Sequence, residues 1–304
     1  MPISLLHIAL VAVIAMWGMV FVAIHEMLRS IDATQLITIR FSMISIVFLL
    51  LFAIFPSTRP KISKNDWKLF VVGGLLAVPL CQLPVVDGQR FLSPPLVSLI
   101  MSTAPAWAAV LARFFLSERT RLIQIVGFAI AMCGVVLVIL IGSSETTDLT
   151  IENPLRASVI LISPIAWAGY SVVGKAFSER SSPIAITGTT IIFGTIFMLP
   201  FWPYSYPALS VLSFGQWMWM IYLTFCGTVI TYLVWFYALR VLSTGQTVSY
   251  MYGVPLAALL CSWIVLDYIP TASSLGGGAA IIIGVVLTQW GRNRRISKTD
   301  KSSI

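Results

Sequence analysis

Residues 90–137, RFLSPPLVSLIMSTAPAWAAVLARFFLSERTRLIQIVGFAIAMCGVVL, occur a second time in this chain in altered form. The second copy, residues 240–287, is RVLSTGQTVSYMYGVPLAALLCSWIVLDYIPTASSLGGGAAIIIGVVL and aligns without a gap. An internal repeat of this kind determines the architecture of the whole chain, so we predict two copies of one unit. Identical residues at this shift of 150 positions include Arg90 and Arg240, Pro105 and Pro255, Gly134 and Gly284, and Trp17 and Trp167.

The composition indicates a membrane protein. Hydrophobic residues make up 58% of the chain and charged residues only 10%, whereas soluble domains carry about 25% charged residues. Apolar runs of about 20 residues are long enough to cross a bilayer as helices. We therefore expect an all-α polytopic membrane protein. Its ten predicted transmembrane helices lie at about residues 5–24, 34–55, 67–86, 94–116, 122–141, 155–177, 184–202, 216–239, 244–268 and 273–290.

The distribution of basic residues predicts the orientation. Most of the 19 Lys and Arg residues lie in the loops after the even-numbered helices and in the C-terminal tail. Because basic loops stay in the cytoplasm, both termini are expected there. Each unit contains five helices, an odd number, so the second unit enters the membrane from the opposite side. Two inverted five-helix repeats, which are typical of alternating-access transporters, would occupy residues 1–143 and 154–290, followed by a basic cytoplasmic tail, 291–304.

The net charge of +8 does not indicate nucleic-acid binding. The basic residues lie in short loops and the tail, as membrane topology requires. The expected partners are therefore the lipid bilayer and a small-molecule substrate.

Several motifs carry a resemblance to a known family. They are Trp17-Gly18-x-x-Phe21, the pair Arg40-Phe41, and the segment that contains Pro105, Glu118, Gly127 and Gly134. In these features the chain resembles the EamA family of the drug/metabolite transporter superfamily. The resemblance implies ten helices and the export or exchange of small metabolites, such as amino acids, across a bacterial inner membrane. It also implies a central cavity between the two halves, with predicted helices 3, 4, 8 and 9 in its walls.

Aromatic and small polar side chains are the candidates for the walls of a substrate site. A small-molecule site is usually an apolar pocket that contains a few hydrogen-bonding groups. The same residue types also join helices in membranes, so a packing role is the alternative for each candidate. The candidates are Trp17, Gln82, Ser98, Ser102, Trp167, Tyr170, Tyr232, Trp235, Gln246 and Tyr250.

Arg40 is the one Lys or Arg well inside a predicted transmembrane helix. An ionised side chain at this depth is costly unless it is paired or hydrated, so it usually faces the protein interior. One hypothesis is that Arg40 binds a substrate carboxylate. The alternative is a structural ion pair with Glu26, Asp32 or Asp87.

Pro105 and Pro255 are predicted in the middle of helices 4 and 9. Because proline removes a backbone hydrogen bond, we expect hinges beside the cavity, with a static kink as the alternative.

Gly127 and Gly134 recur as Gly277 and Gly284 on helices 5 and 10. Such glycines allow close helix approach, which would either hold the two halves together or form the seam of a homodimer.

No catalytic motif is present, and the cysteines and histidines lack the spacing of metal ligands. We therefore expect neither an enzyme nor a cofactor or metal site. The function that the pattern favours is a secondary transporter that exports or exchanges a small amino-acid-like or drug-like metabolite. A membrane ligand sensor or scaffold that does not transport is the alternative.

Overall fold

The computed structural model describes residues 3–60, 66–115, 122–146, 158–178, 181–242, 247, 250–269 and 272–299. Within these ranges the ordered elements are all helical, and none is a strand. Four of the described helices are long and apolar enough to cross a membrane, and a fifth is obtained if one bent pair counts as a single span. The all-helical, multi-span fold expected from the composition is confirmed.

The helices are named here in chain order. They are α1 (Ile3–Met27), α2 (Ala33–Ile54), α3 (Trp67–Gly88), α4 (Pro94–Met101), α5 (Ala104–Phe115), α6 (Leu122–Thr146), α7 (Ile162–Ser178), α8 (Pro183–Ile196), α9 (Phe214–Val241), α10 (Val254–Leu266) and α11 (Ala272–Thr299). A further helical segment, Leu199–Ser210, follows α8 at an angle of 50°.

Helices α2 and α9 both begin with a reciprocal cap. The Asp32 side chain accepts a hydrogen bond from the backbone N–H of Gln35 at 3.0 Å, and the Gln35 side chain accepts one from the Asp32 N–H at 3.1 Å. Ser213 and Gln216 form the same arrangement at the start of α9. Such a box satisfies two backbone donors that a helix start leaves unpaired. Gln216 also donates to the Ser30 hydroxyl at 2.5 Å, so the two helix starts lie together.

The predicted helix at residues 94–116 is wrong in one respect, because the chain is broken there into α4 and α5. The Ser102 and Thr103 hydroxyls donate to carbonyls of the preceding turn, Leu99 and Ile100, each at 2.7 Å. Hydroxyl bonds of this kind compete with the regular backbone pattern and bend helices. Pro105 consequently lies in the first turn of α5, where its missing N–H costs little.

In the predicted helix at residues 244–268, the structure describes a 3₁₀ turn, Tyr250–Gly253, followed by α10, and Pro255 lies in the first turn of α10. Both prolines were predicted in mid-helix, but Pro105 follows the break between α4 and α5, and Pro255 follows the 3₁₀ turn. Asp267, at φ 53°, ends α10 in the left-handed conformation, which closes many helix C-termini.

Two other predicted boundaries also differ from the structure. The helix predicted at 184–202 ends at Ile196, because Pro200 has no N–H to donate to the Ile196 carbonyl. The helix predicted at 273–290 continues as α11 to Thr299 and so includes most of the basic tail, 291–304. Arg and Lys favour helices, and no proline interrupts this stretch.

Helices α3 and α9 each contain one π-helical turn, at Leu76–Leu80 and Phe225–Ile230. The two turns occupy corresponding positions in the two sequence repeats, since 76 and 226 differ by the repeat shift. Single π-turns inside α-helices are frequent at functional sites because they re-aim side chains and free a backbone carbonyl. The repeat found in the sequence therefore extends to an irregular feature of the backbone.

Residues related by the repeat shift also touch one another. The Trp17 and Trp167 rings meet edge to face with centroids 5.8 Å apart, and the Ser45 hydroxyl donates to the Thr195 hydroxyl at 2.8 Å. Equivalent residues of the two sequence repeats therefore contact each other in the folded chain.

Helices α6 and α11 pack against each other through glycine. A Cβ added at Gly134 would lie 2.7 Å from the Ile281 nitrogen, and one added at Gly284 would lie 2.3 Å from the Ala131 nitrogen. Gly134 also meets Gly277, and Gly284 meets Gly127, so the contacts are reciprocal. Residue numbers rise along one helix as they fall along the other, which shows that the two helices run antiparallel. These glycines pack within the chain, so they are not exposed for a dimer seam.

We expect Gly284→Ala to lower the melting temperature of the purified protein. The added methyl group would overlap backbone atoms of Ala131, and overpacking of this kind costs about 1–3 kcal/mol. Gly276→Ala is the matched control on the same helix, because a Cβ there meets nothing within 4 Å. Equal melting temperatures for the two variants in detergent would contradict the packing described.

Candidate functional site

A cavity lies between the first and second halves of the chain. Its walls are mostly apolar and aromatic, and they combine α1, α2, α3 and α4 with α7, α9, α10 and the turn before α10. The lining residues are Trp17, Val20, Phe21, Ile24, Arg40, Cys81, Gln82, Val85, Met101, Trp167, Gly227, Tyr232, Met251 and Val254. An apolar and aromatic lining that contains a few polar groups is typical of a site for a small organic molecule.

Aromatic side chains from both halves meet at one wall of the cavity. The Trp17 ring lies 5.0 Å from Trp235 and 6.4 Å from Tyr232, in addition to its contact with Trp167. The Trp167 ring lies 5.3 Å from Tyr232 and 5.7 Å from Tyr170. All of these pairs are edge to face or tilted, which is favourable for aromatic rings. The cluster thus gives the cavity a rigid apolar wall shared by the two halves.

Arg40 brings a guanidinium group to the cavity from α2, although its side chain is only 2% exposed. Its Nε donates to the Leu223 carbonyl at 3.3 Å, and its Nη2 donates to the Thr228 hydroxyl at 2.8 Å. Thr228 lies in the π-turn of α9, and its hydroxyl donates at 3.2 Å to the carbonyl of Leu223, just before that turn. The π-turn of the second half therefore positions an arginine of the first half.

The remaining nitrogen of Arg40, Nη1, is buried and has no hydrogen-bond partner among the residues that the structure describes. The structural ion pair considered for Arg40 is not formed with the candidate carboxylates. Glu26 pairs with Arg29 at 3.2 Å, and Asp87 pairs with Arg90 at 3.6 Å. Asp32 caps α2 and accepts from the Tyr204 hydroxyl.

Gly227 provides the room that Arg40 needs in the wall. A Cβ at this position would lie 3.3 Å from Arg40 Nη2 and 2.8 Å from Val20 Cγ2. Any side chain at residue 227 would therefore press on the guanidinium group and on α1. Close approach of this kind is a common reason for glycine at a binding site.

The structure brings together some of the predicted site residues and separates others. Trp17, Arg40, Gln82, Trp167 and Tyr232 line the cavity. The next layer contains Tyr170, whose hydroxyl is 3.0 Å from that of Thr190, and Trp235, which packs on Trp17.

The other predicted site residues do not line the cavity. The Ser98 and Ser102 hydroxyls donate to carbonyls of their own helix, and the Tyr250 hydroxyl lies 2.5 Å from His7 Nδ1. Gln246 lies outside the described residues.

Sequence reasoning missed the apolar members of the wall and one polar group. An apolar residue such as Ile24 or Val85 carries no signal that distinguishes a cavity wall from a packed interior or a lipid-facing surface. Thr228 was missed because its role depends on the π-turn, and no residue type in the stretch 225–230 indicates such a turn.

Comparisons with known proteins agree with this architecture. The profile of the EamA-like transporter family matches the chain twice, at residues 4–140 and 155–290. A solved structure that is 16% identical superposes with a TM-score of 0.64 and covers 96% of this chain and 99% of its own, which shows a shared fold.

Curated relatives extend over almost the same length. An uncharacterized transporter of Archaeoglobus fulgidus is 24% identical over 92% of this chain and 97% of its own. The uncharacterized transporter YdfC of Bacillus subtilis is 28% identical, over 90% of this chain and 88% of its own. A protein of Streptantibioticus cattleyicolor named "Probable terminal-alkyne amino-acid exporter" is 25% identical, over 95% and 96%. Because the profile matches most of the chain, this multi-pass membrane protein belongs to the EamA-like transporter family.

Proposed function

We propose that the chain is a secondary transporter of the bacterial inner membrane that exports or exchanges a small amino-acid-like or drug-like metabolite by alternating access. Family membership supports transport, and the relative named as an amino-acid exporter supports a substrate of that size. The observation that carries the proposal is the cavity, because both halves of the chain contribute to its walls. A site between two mobile halves opens to either side of the membrane in turn.

The proposal includes ten transmembrane helices in two inverted repeats, residues 1–143 and 154–290, with the tail 291–304 and both termini in the cytoplasm. The two separate matches of the family profile support the division into two units. The antiparallel contact of α6 with α11 supports their inversion, because a twofold axis in the membrane plane reverses helix direction.

Movement of the halves is proposed to use two irregular turns, one between α4 and α5 and the other the 3₁₀ turn before α10. Met101 lies at the end of α4, and Met251 lies in the 3₁₀ turn, so each turn has a residue in the cavity wall beside it. Pro105 and Pro255 lie at the start of the helices that follow these turns. The flexible element is therefore the irregular turn that precedes each proline, and each proline fixes the start of the segment that moves.

Counterflow into proteoliposomes tests this function. Vesicles that contain the purified protein are loaded with an unlabelled mixture of amino acids and aromatic acids, and uptake of each labelled compound is measured against protein-free vesicles. We expect saturable uptake that is faster in loaded than in empty vesicles, because an exchanger returns across the membrane faster with a substrate bound. Compounds that bind the purified protein without any flux would instead indicate the sensor or scaffold.

A further inference from the structure

The charge of the cavity is set by a single side chain. Among the lining residues Arg40 is the one Lys, Arg, Asp or Glu. Its guanidinium group is buried, and two of the carboxylates considered as its partners, Glu26 and Asp87, are paired with other arginines. A buried charge without a counter-ion is costly and is stabilised by any anion that reaches it. The cavity therefore favours a ligand with one negative charge.

The hydrogen-bonding groups of the wall favour the same ligand. Arg40 Nη1 and the indole N–H of Trp167 are both buried donors without a partner among the described residues. Arginine binds carboxylates strongly because its planar N–H groups match two oxygens. Since Arg40 is fixed through Leu223 and Thr228, little side-chain freedom would be lost on binding.

The same wall offers no anionic partner for an ammonium group. An amino acid that placed its carboxylate at Arg40 would hold its ammonium a few ångströms from the guanidinium, where the aromatic faces are its main compensation. Like charges at short separation in a site of low polarity repel each other strongly. A zwitterion is therefore a poorer match than an anion of the same shape.

We propose that the substrates of this cavity are organic monocarboxylates with an uncharged, apolar or aromatic body, and that Arg40 selects them over the corresponding amino acids and amides. This inference rests on the proposed function. The carboxylate lies at Arg40 Nη1, while the body packs against the aromatic wall that contains Trp17 and Trp167.

Three probes that share one body and differ in the head group test the selectivity. They are 3-phenylpropanoate, L-phenylalanine and 3-phenylpropanamide, which present a carboxylate, a zwitterion and a neutral amide. Binding to the purified protein and counterflow in proteoliposomes are measured for each. We expect the carboxylate to bind at least about tenfold more tightly than either of the others. Equal affinities, or tighter binding of the amino acid or the amide, would overturn the proposal, and measurements on the wild-type protein are sufficient for this test.

Variants then assign the preference to a residue. Arg40→Gln should bind the carboxylate and the amide with similar affinity, whereas Arg90→Gln, in an exposed ion pair, should keep the wild-type preference. A preference that persists in Arg40→Gln contradicts the role of Arg40. If the variant does not fold, the three-probe comparison in the wild type still decides the substrate class. Selective carboxylate binding without flux would contradict the proposed transport but support the selectivity. Flux that favours the zwitterion would support transport but contradict the selectivity.

Discussion

Replacing Trp17 with alanine is expected to reduce counterflow at least about tenfold and to lower the melting temperature, because one side chain serves both the cavity and the contact between halves. Its ring is 8% exposed and touches Trp167, Tyr232 and Trp235. Truncation of a buried aromatic to alanine costs about 3–5 kcal/mol in packing. The loss also removes the edge-to-face contact between equivalent residues of the two repeats.

Two comparisons separate the effect on the site from general destabilisation. Trp263→Ala removes a tryptophan of α10 that is 58% exposed, and it should leave both flux and melting temperature near the wild-type values. Trp17→Phe restores an apolar ring and should recover most of the stability, but only part of the affinity of the cavity for its substrate. Wild-type flux in folded Trp17→Ala would show that the cavity described is not the transport site.

The length and apolar character of the spans could be predicted because the thickness of the bilayer imposes them on the sequence. The repeat shift was visible because identical residues such as Pro105 and Pro255 persist at one spacing. The end of α8 at Ile196 was also encoded, since Pro200 and Pro203 follow it, but apolar composition alone extended the prediction to Trp202. Composition thus locates a span better than it locates its ends.

The residues of the candidate site were harder to predict from the sequence than the spans. Trp17 and Trp167 were identified because large aromatic residues at equivalent positions are conspicuous, and both line the cavity. Ser98 was selected because it is a polar residue inside a predicted span, but its hydroxyl donates to the Pro95 carbonyl. Whether a hydroxyl faces a cavity or its own helix depends on rotamer and packing, which a one-dimensional pattern does not specify.

Thr228→Val is expected to weaken carboxylate binding about tenfold while leaving the charge of Arg40 in place. Valine keeps the shape of threonine but removes the acceptor of Nη2 at 2.8 Å and the hydroxyl bond to the Leu223 carbonyl. A buried donor of a charged group then loses its partner, at a cost of about 1–3 kcal/mol. We expect the KM of counterflow to rise and its maximal rate to change less, because the guanidinium is no longer held in position for binding.

Thr224→Val is the matched control for this prediction. Thr224 lies about one turn earlier on α9 and is equally buried, but its hydroxyl donates to the Met220 carbonyl of its own helix at 2.9 Å. That variant should lose some stability and keep the wild-type KM. If the two valine variants have the same KM, the hydrogen bond from Arg40 to Thr228 does not control binding. If KM rises in Thr228→Val but not in Thr224→Val, the π-turn in the second half controls how Arg40 of the first half binds its ligand.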